Sequence, residues 1–450
     1  MWMPRLITLN NLALGLTGLC LTACVQFQSS PLSADVSASA FANRSLADPA
    51  LQAFLVEQKA GGSWTTDKLA LAAAFFSGEV RVAQSMVAQT EAGITIASER
   101  PNPTLSFSPG YNSSTRGISP WIITPSLNVP IETAGKRARR LDQARAELES
   151  VQLLASAAAW TARTKVRDAM LKLYAGRENA ALLKNEIALH DETLQKLEAQ
   201  VKVGEAPAFE VTQARLSLNR AKLALHDADQ QSDTAQAQLA AAIGIPSSAL
   251  RAVDLDFSDF TQFPSTPGSA ARRTALTHRS DLLAALADYK VAEASLRLEI
   301  AKQYPDVQLG PGYELDQTVN RWTLGLNIGL PILNQNRGAI RQAEAKRQTA
   351  AAVFESQQAT VFGEIETALA AYHGAQAKAK TAAHLAEEAT HSSDTTKHMV
   401  EAGELAPLEL VRRRIEASAS ALSLLEARIQ AQEALGQLEA SLQLPLRSLR

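Results

Sequence analysis

Cysteine is all but absent. Its two copies, Cys20 and Cys24, fall in the first 24 residues, so the rest of the chain can form neither a disulfide framework nor a cysteine-ligated metal site. An excess of one charge is missing too. The 44 Lys and Arg residues against 46 Asp and Glu leave a formal net charge of −2. With both signs interspersed, there is no basic field for a nucleic-acid partner. Aromatics make up 5%. No phosphate loop, HExxH or nucleophile elbow occurs, and the acid pair Glu364 and Glu366 reads as helix surface charge. No catalytic residue, cofactor or resident metal is therefore expected. Proline is missing from two long stretches, 131–206 and 332–406. What fills them is largely alanine and mixed charge, as in TALAAYHGAQAKAKTAAHLAEEA, a composition that favours helices packed at close approach. With 46% hydrophobic residues in 450, the chain can also bury a core.

Residues 1–23 read as an export signal, with Arg5 as a short positive region and LITLNNLALGLTGLCL as an apolar core too short to span a bilayer. The stretch ends in Leu21-Thr22-Ala23-Cys24, which resembles the lipobox of bacterial lipoproteins. That resemblance implies lipidation, palmitate included, at Cys24, and several acyl chains at about 0.8 kcal/mol per buried methylene make a firm anchor. Val25 in place of Asp after it, by resemblance to enterobacterial sorting signals, favours the outer membrane. An ordinary signal peptide cut after a small residue is the alternative. Residues 24–63 show no clear periodicity and are expected to be an anchor and extended segment.

The chain repeats itself. Pro109-Gly110-Tyr111 returns as Pro311-Gly312-Tyr313, Pro130-Ile131 as Pro331-Ile332, Tyr174 and Gly176 as Tyr372 and Gly374, and Gly204-Glu205 as Gly403-Glu404. The order is kept throughout, which argues for duplication. The first copy is expected over 64–244 and the second over 271–443, with a Pro- and Ser-rich linker at 245–270 and a tail at 444–450.

Each copy carries two segments of alternating polarity, 103–112 and 120–131 in the first, 305–316 and 320–332 in the second. In the last, Trp322, Leu324, Leu326, Ile328, Leu330 and Ile332 oppose Arg321, Thr323 and Asn327. A period of two makes these strands. Four strands of about ten residues, each with one apolar and one polar face, fit a transmembrane barrel with lipid outside and water inside. Four are too few to close one, so several chains must contribute. Trp121 and Trp322 are placed for an aromatic girdle. Long helices are expected over 134–202 and 337–402, about 64 residues or more and on the order of 95 Å each. They return through short turns into helices over 208–243 and 408–442 as antiparallel coiled coils.

These lines together resemble the TolC-like outer membrane efflux family: ERPNPTLSF and QYPDVQLGPGY before the strands, LNVPIETAGKRARRLDQARAE and IGLPILNQNRGAIRQAEAKR after them, and THRSDLLAALADYKVAEASL leading into the second copy. The resemblance covers Trp64 to about Leu442, and LPILNQNRGAIRQAEAKR looks more like the CzcC-like heavy-metal efflux branch than like the multidrug branch. It implies a mainly α fold with a transmembrane β-barrel. A homotrimer would share a twelve-stranded barrel in the outer-membrane lipid and an α-helical barrel in the periplasm. The implied partners are a periplasmic adaptor protein and an inner-membrane transporter of the resistance-nodulation-division (RND) type. The implied function is passive export of small solutes, metal cations or drugs. A protein-secretion duct on the same fold and a poreless coiled-coil lipoprotein are the rivals.

Within the resemblance, the two turns between helices are adaptor-docking tips, Val203, Gly204 and Glu205 in one copy and Ala402, Gly403, Glu404 and Leu405 in the other. Their glycines permit the turn, and Pro207 and Pro407 are expected to begin the next helices. Glu205 and Glu404 either select a basic adaptor tip or serve only the helix dipole. The periplasmic aperture is implied at Glu210, Glu409 and Arg412, with Arg412 standing where the family often has an acid. His384, His391 and His398 recur every seven residues. That spacing is too wide for one helix to chelate a metal with them, so they are either a solvated stripe or a line of separate imidazoles.

Overall fold

The computed structural model describes residues 26–114, 119–251, 253–264 and 270–446. The export signal and Cys24 lie outside the described residues. The chain divides into two units, one reaching Arg44 and one from Ser45 onward. The first contains helix α1 (Ala34–Ala42), exposed along its length, with the Arg44 guanidinium 5.5 Å from the Phe41 ring centre.

The second unit begins with α2 (Pro49–Glu57). The Asp48 carboxylate caps it by accepting the Ala50 and Leu51 N–H groups, and Pro49 occupies the first turn, where its missing N–H is harmless. The expected extended segment over 24–63 is thus corrected: α1 and α2 are helices too short to show periodicity, and only the Asp-Pro start signal marked the second. Thr65 caps α3 (Thr66–Phe76), and α4 (Gly78–Ser98) follows. The first hairpin holds β1 (Thr104–Phe107), β2 (Gly110–Tyr111), β3 (Trp121–Ile123) and β4 (Pro125–Ile131). After it come α5 (Lys136–Lys202, 67 residues) and α6 (Ala208–Ile243, 36 residues). The linker contains the short α7 (Ser247–Leu250) and a single 3-10 turn at Ser258–Thr261. The second copy runs through α8 (Ala270–His278), α9 (Ser280–Ala301), β5 (Val307–Asp316), β6 (Val319–Ile328), α10 (Arg337–Glu401, 65 residues) and α11 (Pro407–Leu442, 36 residues).

The six strands among the described residues form one antiparallel sheet with the order β1-β4-β5-β3-β2 and β6 on β5. One register joins β1 to β4 and β2 to β3, Leu105 facing Leu127 and Tyr111 facing Trp121. The four segments therefore act as one hairpin with a break in each arm. Pro109 lies in the first break and Pro125 directly after the second, each without an N–H for the ladder. The Ser108 N–H still reaches the Thr124 carbonyl across the gap at 3.2 Å. In the second copy β5 and β6 pair without interruption over ten residues each, closed by Gln317 at φ 54° and Thr318.

Among the described residues two main cores hold the helices, with two further clusters of three buried residues each. The larger packs Leu51, Leu55 and Leu69 against Met170 and Leu173 of α5 and Leu239 and Ile243 of α6. Leu250, Leu255 and Phe260 of the linker close it, so the linker is packed rather than loose. The smaller joins Ile365 and Tyr372 of α10 to Leu435 and Leu438 of α11. Gly176 lets α5 and α6 touch: a Cβ there would lie 3.1 Å from the Ser232 backbone.

Arg167 of α5 crosses between the copies, donating to Gln432 at 3.1 Å and lying 3.2 Å from the Glu439 carboxylate, both on α11. Gly436 leaves room for it, since a Cβ there would overlap the Arg167 guanidinium. A second tie lies where strands meet helices. Lys136 pairs with Asp306 at 2.7 Å, and the Thr133 N–H donates to the same carboxylate at 3.0 Å.

Candidate functional site

Strand pairing turns four alternating segments into one two-faced surface. Ser106 faces Ser126, Ser126 faces Gly312 and Gly312 faces Thr323, a row of small and polar residues across the whole sheet. On the other face Val129, Leu309 and Leu326 form an apolar row, and Ile131, Val307 and Ile328 form the next. Cross-strand aromatic pairs cap this face near the hairpin ends, Tyr111 with Trp121 at 5.2 Å and Tyr313 with Trp322 at 4.8 Å between ring centres. On the polar face Asn128 donates to Gln308, and Arg321 pairs with Glu314 at 2.8 Å.

The apolar face is uncovered: Trp322 is 80% exposed, Leu324 71% and Leu326 64%. In water that patch would be a liability, whereas facing hydrocarbon it is at equilibrium. No strand among the described residues pairs with the far edge of β6 or of β1, so the sheet is open at both sides. No helix among them is long and apolar enough to cross a membrane.

The two turns have one geometry. After α5 the Gly204 N–H reaches the Val201 carbonyl and the Glu205 N–H reaches back to Gln200, with Gly204 at φ 80°. After α10 the Gly403 N–H reaches Val400 and the Glu404 N–H reaches Met399, with Gly403 at φ 78°. Each is a left-handed glycine closing a helix with a six-to-one bond, as in a Schellman cap. Val203, Glu205, Ala402, Glu404 and Leu405 are all exposed around them. The prolines differ from expectation. Pro407 is the first residue of α11, but Pro207 is the cap residue before α6 and lies one position earlier in its copy.

Glu210 and Glu409 both lie in the first turn of their helices, where the dipole favours a carboxylate. Arg412 stands 3.9 Å from Glu409, but Arg413 is nearer at 3.2 Å and also bonds Glu416 at 2.9 Å. Within the chain Arg413 is thus the main cation on Glu409. The Glu-to-Arg spacing of four residues was the available signal for it.

Arg279, inside THRSDLLAAL, is another residue whose role the sequence hid. Buried to 7% exposure, it forks onto Asp281 at 2.9 and 2.6 Å and reaches Glu364 at 2.7 Å and the Ser441 carbonyl at 2.9 Å. It thereby ties the start of α9 to α10 and α11. Burial pushes the Asp281 carboxyl up, but the Arg279 hydrogen bonds and charge, with the Leu282 N–H, outweigh it and hold the group below the usual aspartate range. Glu364 is accordingly not the plain surface charge expected of it.

His384, His391 and His398 are exposed on α10. Among the described residues no group of three or more His, Cys, Asp or Glu side chains could hold a metal ion.

Comparison with known proteins adds the lineage. Over 294 residues, 64% of this chain and 68% of the relative, the chain is 26% identical to the cobalt-zinc-cadmium resistance protein CzcC of Cupriavidus metallidurans. Its fold superposes on the crystal structure of CusC with a TM-score of 0.68 at 16% identity, covering 84% of this chain and 91% of that one. It matches the outer membrane protein VceC of Vibrio cholerae with a TM-score of 0.68 at 17% identity, covering 84% and 95%. The model of the outer membrane efflux protein family matches twice, over residues 77–245 and 271–442. The two matches are the two copies, and the chain belongs to the outer membrane efflux protein family.

Proposed function

We propose that this outer-membrane protein is the channel of a tripartite efflux system, a homotrimer exporting small solutes passively, with divalent metal cations as the favoured cargo. The observation that carries the reading is the open sheet with one bare apolar face and one polar face. Three copies joined edge to edge would make a closed barrel of twelve strands, with the apolar rows to lipid and the Ser106–Thr323 row to water. The paired long helices, each about 100 Å by their residue count, would continue the lumen through the periplasm. The similarity to CzcC favours metal over drug.

In this reading Cys24 carries the lipid anchor. The tips at Val203, Gly204 and Glu205 and at Ala402, Gly403, Glu404 and Leu405 receive a periplasmic adaptor, itself bound to an inner-membrane RND-type transporter. Glu210, Glu409 and Arg412 border the periplasmic aperture, with Arg413 beside them. The protein performs no chemistry and supplies no energy. Two measurements test this. Purified trimers in planar bilayers should show discrete conductance steps, and removal of the gene should lower tolerance to zinc or cobalt. A well-folded protein without conductance would sink the channel reading.

A further inference from the structure

Three imidazoles climb one side of α10. His384, His391 and His398 are spaced by seven residues, two turns or about 10.5 Å per step, and all are exposed. The buried residues Ile365, Tyr372, Ala379 and Ser393 follow a different seven-residue series on the same helix. An offset of five positions puts the histidines about 150° round from that seam in a coiled-coil heptad.

The structure adds a carboxylate to the steps. The His384 Nδ1 lies 3.4 Å from Glu388, and the His398 Nδ1 lies 3.5 Å from Glu401. His391 comes four residues after Glu387 and three before Asp394, spacings at which helix residues are neighbours. One imidazole and one carboxylate make two ligands, leaving the remaining positions of a cation to water. Such a pair binds weakly and releases readily. Its nitrogen prefers zinc, cobalt and similar ions to magnesium or calcium, which take oxygen ligands. The lowest step adjoins a tip: the His398 carbonyl accepts the Ala402 N–H, one residue before the left-handed Gly403. From there the series rises about 21 Å.

We propose that His384, His391 and His398, each with its neighbouring carboxylate, are successive two-ligand stations for a borderline divalent cation that enters near the α10 tip. The proposal rests on the metal-export reading and makes these side chains its specificity-determining residues. The test uses the full-length protein in detergent, dialysed to equilibrium against Zn2+ alone. Alanine at all three positions keeps helix propensity high, so the variant should fold as the parent does. Its expected behaviour is loss of bound Zn2+ and poorer restoration of zinc tolerance at equal abundance in cells lacking the native gene. Unchanged Zn2+ binding, or unchanged tolerance, overturns the proposal. Glu388→Gln with Glu401→Gln should weaken Zn2+ binding with the histidines intact, and full retention there also counts against it. If loss of the whole gene leaves zinc tolerance intact, the metal-export reading fails and this proposal with it. If that loss sensitises cells and the triple variant restores tolerance fully, only the stations fall.

Discussion

Glycines with the same backbone angle do different jobs here. Gly244 ends α6 at φ 90°, and a Cβ on it would lie 2.9 Å from the Phe76 carbonyl oxygen, whereas Gly403 at φ 78° has open space around it. Gly403→Ala should therefore lose only the left-handed preference, about 1 kcal/mol. Gly244→Ala should lose that and strain the contact with α3, about 2–3 kcal/mol together. Thermal melts followed by circular dichroism should rank them in that order, and equal losses would refute the contact argument. Arg279 gives a pH-dependent counterpart. Asp281 titrates lower folded than unfolded, so its contribution is whole above the unfolded value of about 3.9 and is lost as pH falls through the folded one. Arg279→Met should lower stability at neutral pH by about 3 kcal/mol. Its deficit should shrink below about pH 4 as the parent loses the same pair.

At the scale of the element, adjacent residues of β6 lie on opposite faces of the sheet, which the proposed barrel would assign to different solvents. Leu326 is paired with Leu309 on the apolar face and Asn327 with Gln308 on the polar one. Leu326→Lys should cost about 2–4 kcal/mol if its position lies near the bilayer midplane and reduce the amount of heat-resistant protein in outer-membrane fractions. Asn327→Lys should insert normally and change conductance or ion selectivity. Equal insertion of both variants would remove the basis for assigning lipid and water to the two faces. The alternation that decides this was legible in the sequence, because a strand's side chains must alternate whatever surrounds it. The breaks fall beside Pro109 and Pro125, which lack an N–H, although Pro130 and Pro311 sit inside continuous strands. That both arms nonetheless keep one register was not legible, because it depends on the partner strands.

At the scale of the whole molecule, duplication gives two tips with one backbone and different side chains. The described residues contain no cysteine, so a single cysteine at Glu205 or Glu404 provides a clean cross-linking site. Each should capture the adaptor from intact envelopes with a different yield. Capture at neither position would overturn the docking assignment, and indistinguishable yields would show that the tips are equivalent to the adaptor. Glu409 with Arg413 and Arg412 belongs only to the second copy, because Gln213 and Ala214 occupy the corresponding places in the first. Any asymmetry in the proposed aperture should therefore track the second helix pair.

By itself the sequence determined the duplication, the four alternating strands, the long proline-free helices and the glycine turns between them. Each of these is a local matter: a side-chain period, a missing N–H or a backbone angle closed to other residues. Tertiary structure decided what depends on distant neighbours. It placed Arg279 among Asp281, Glu364 and Ser441, ran Arg167 past Gly436 into the other copy, and packed the linker into the core. Burial and pairing across 85 to 265 positions of chain leave no periodic trace, because the partner is set by how the helices pack rather than by either residue's own surroundings in sequence.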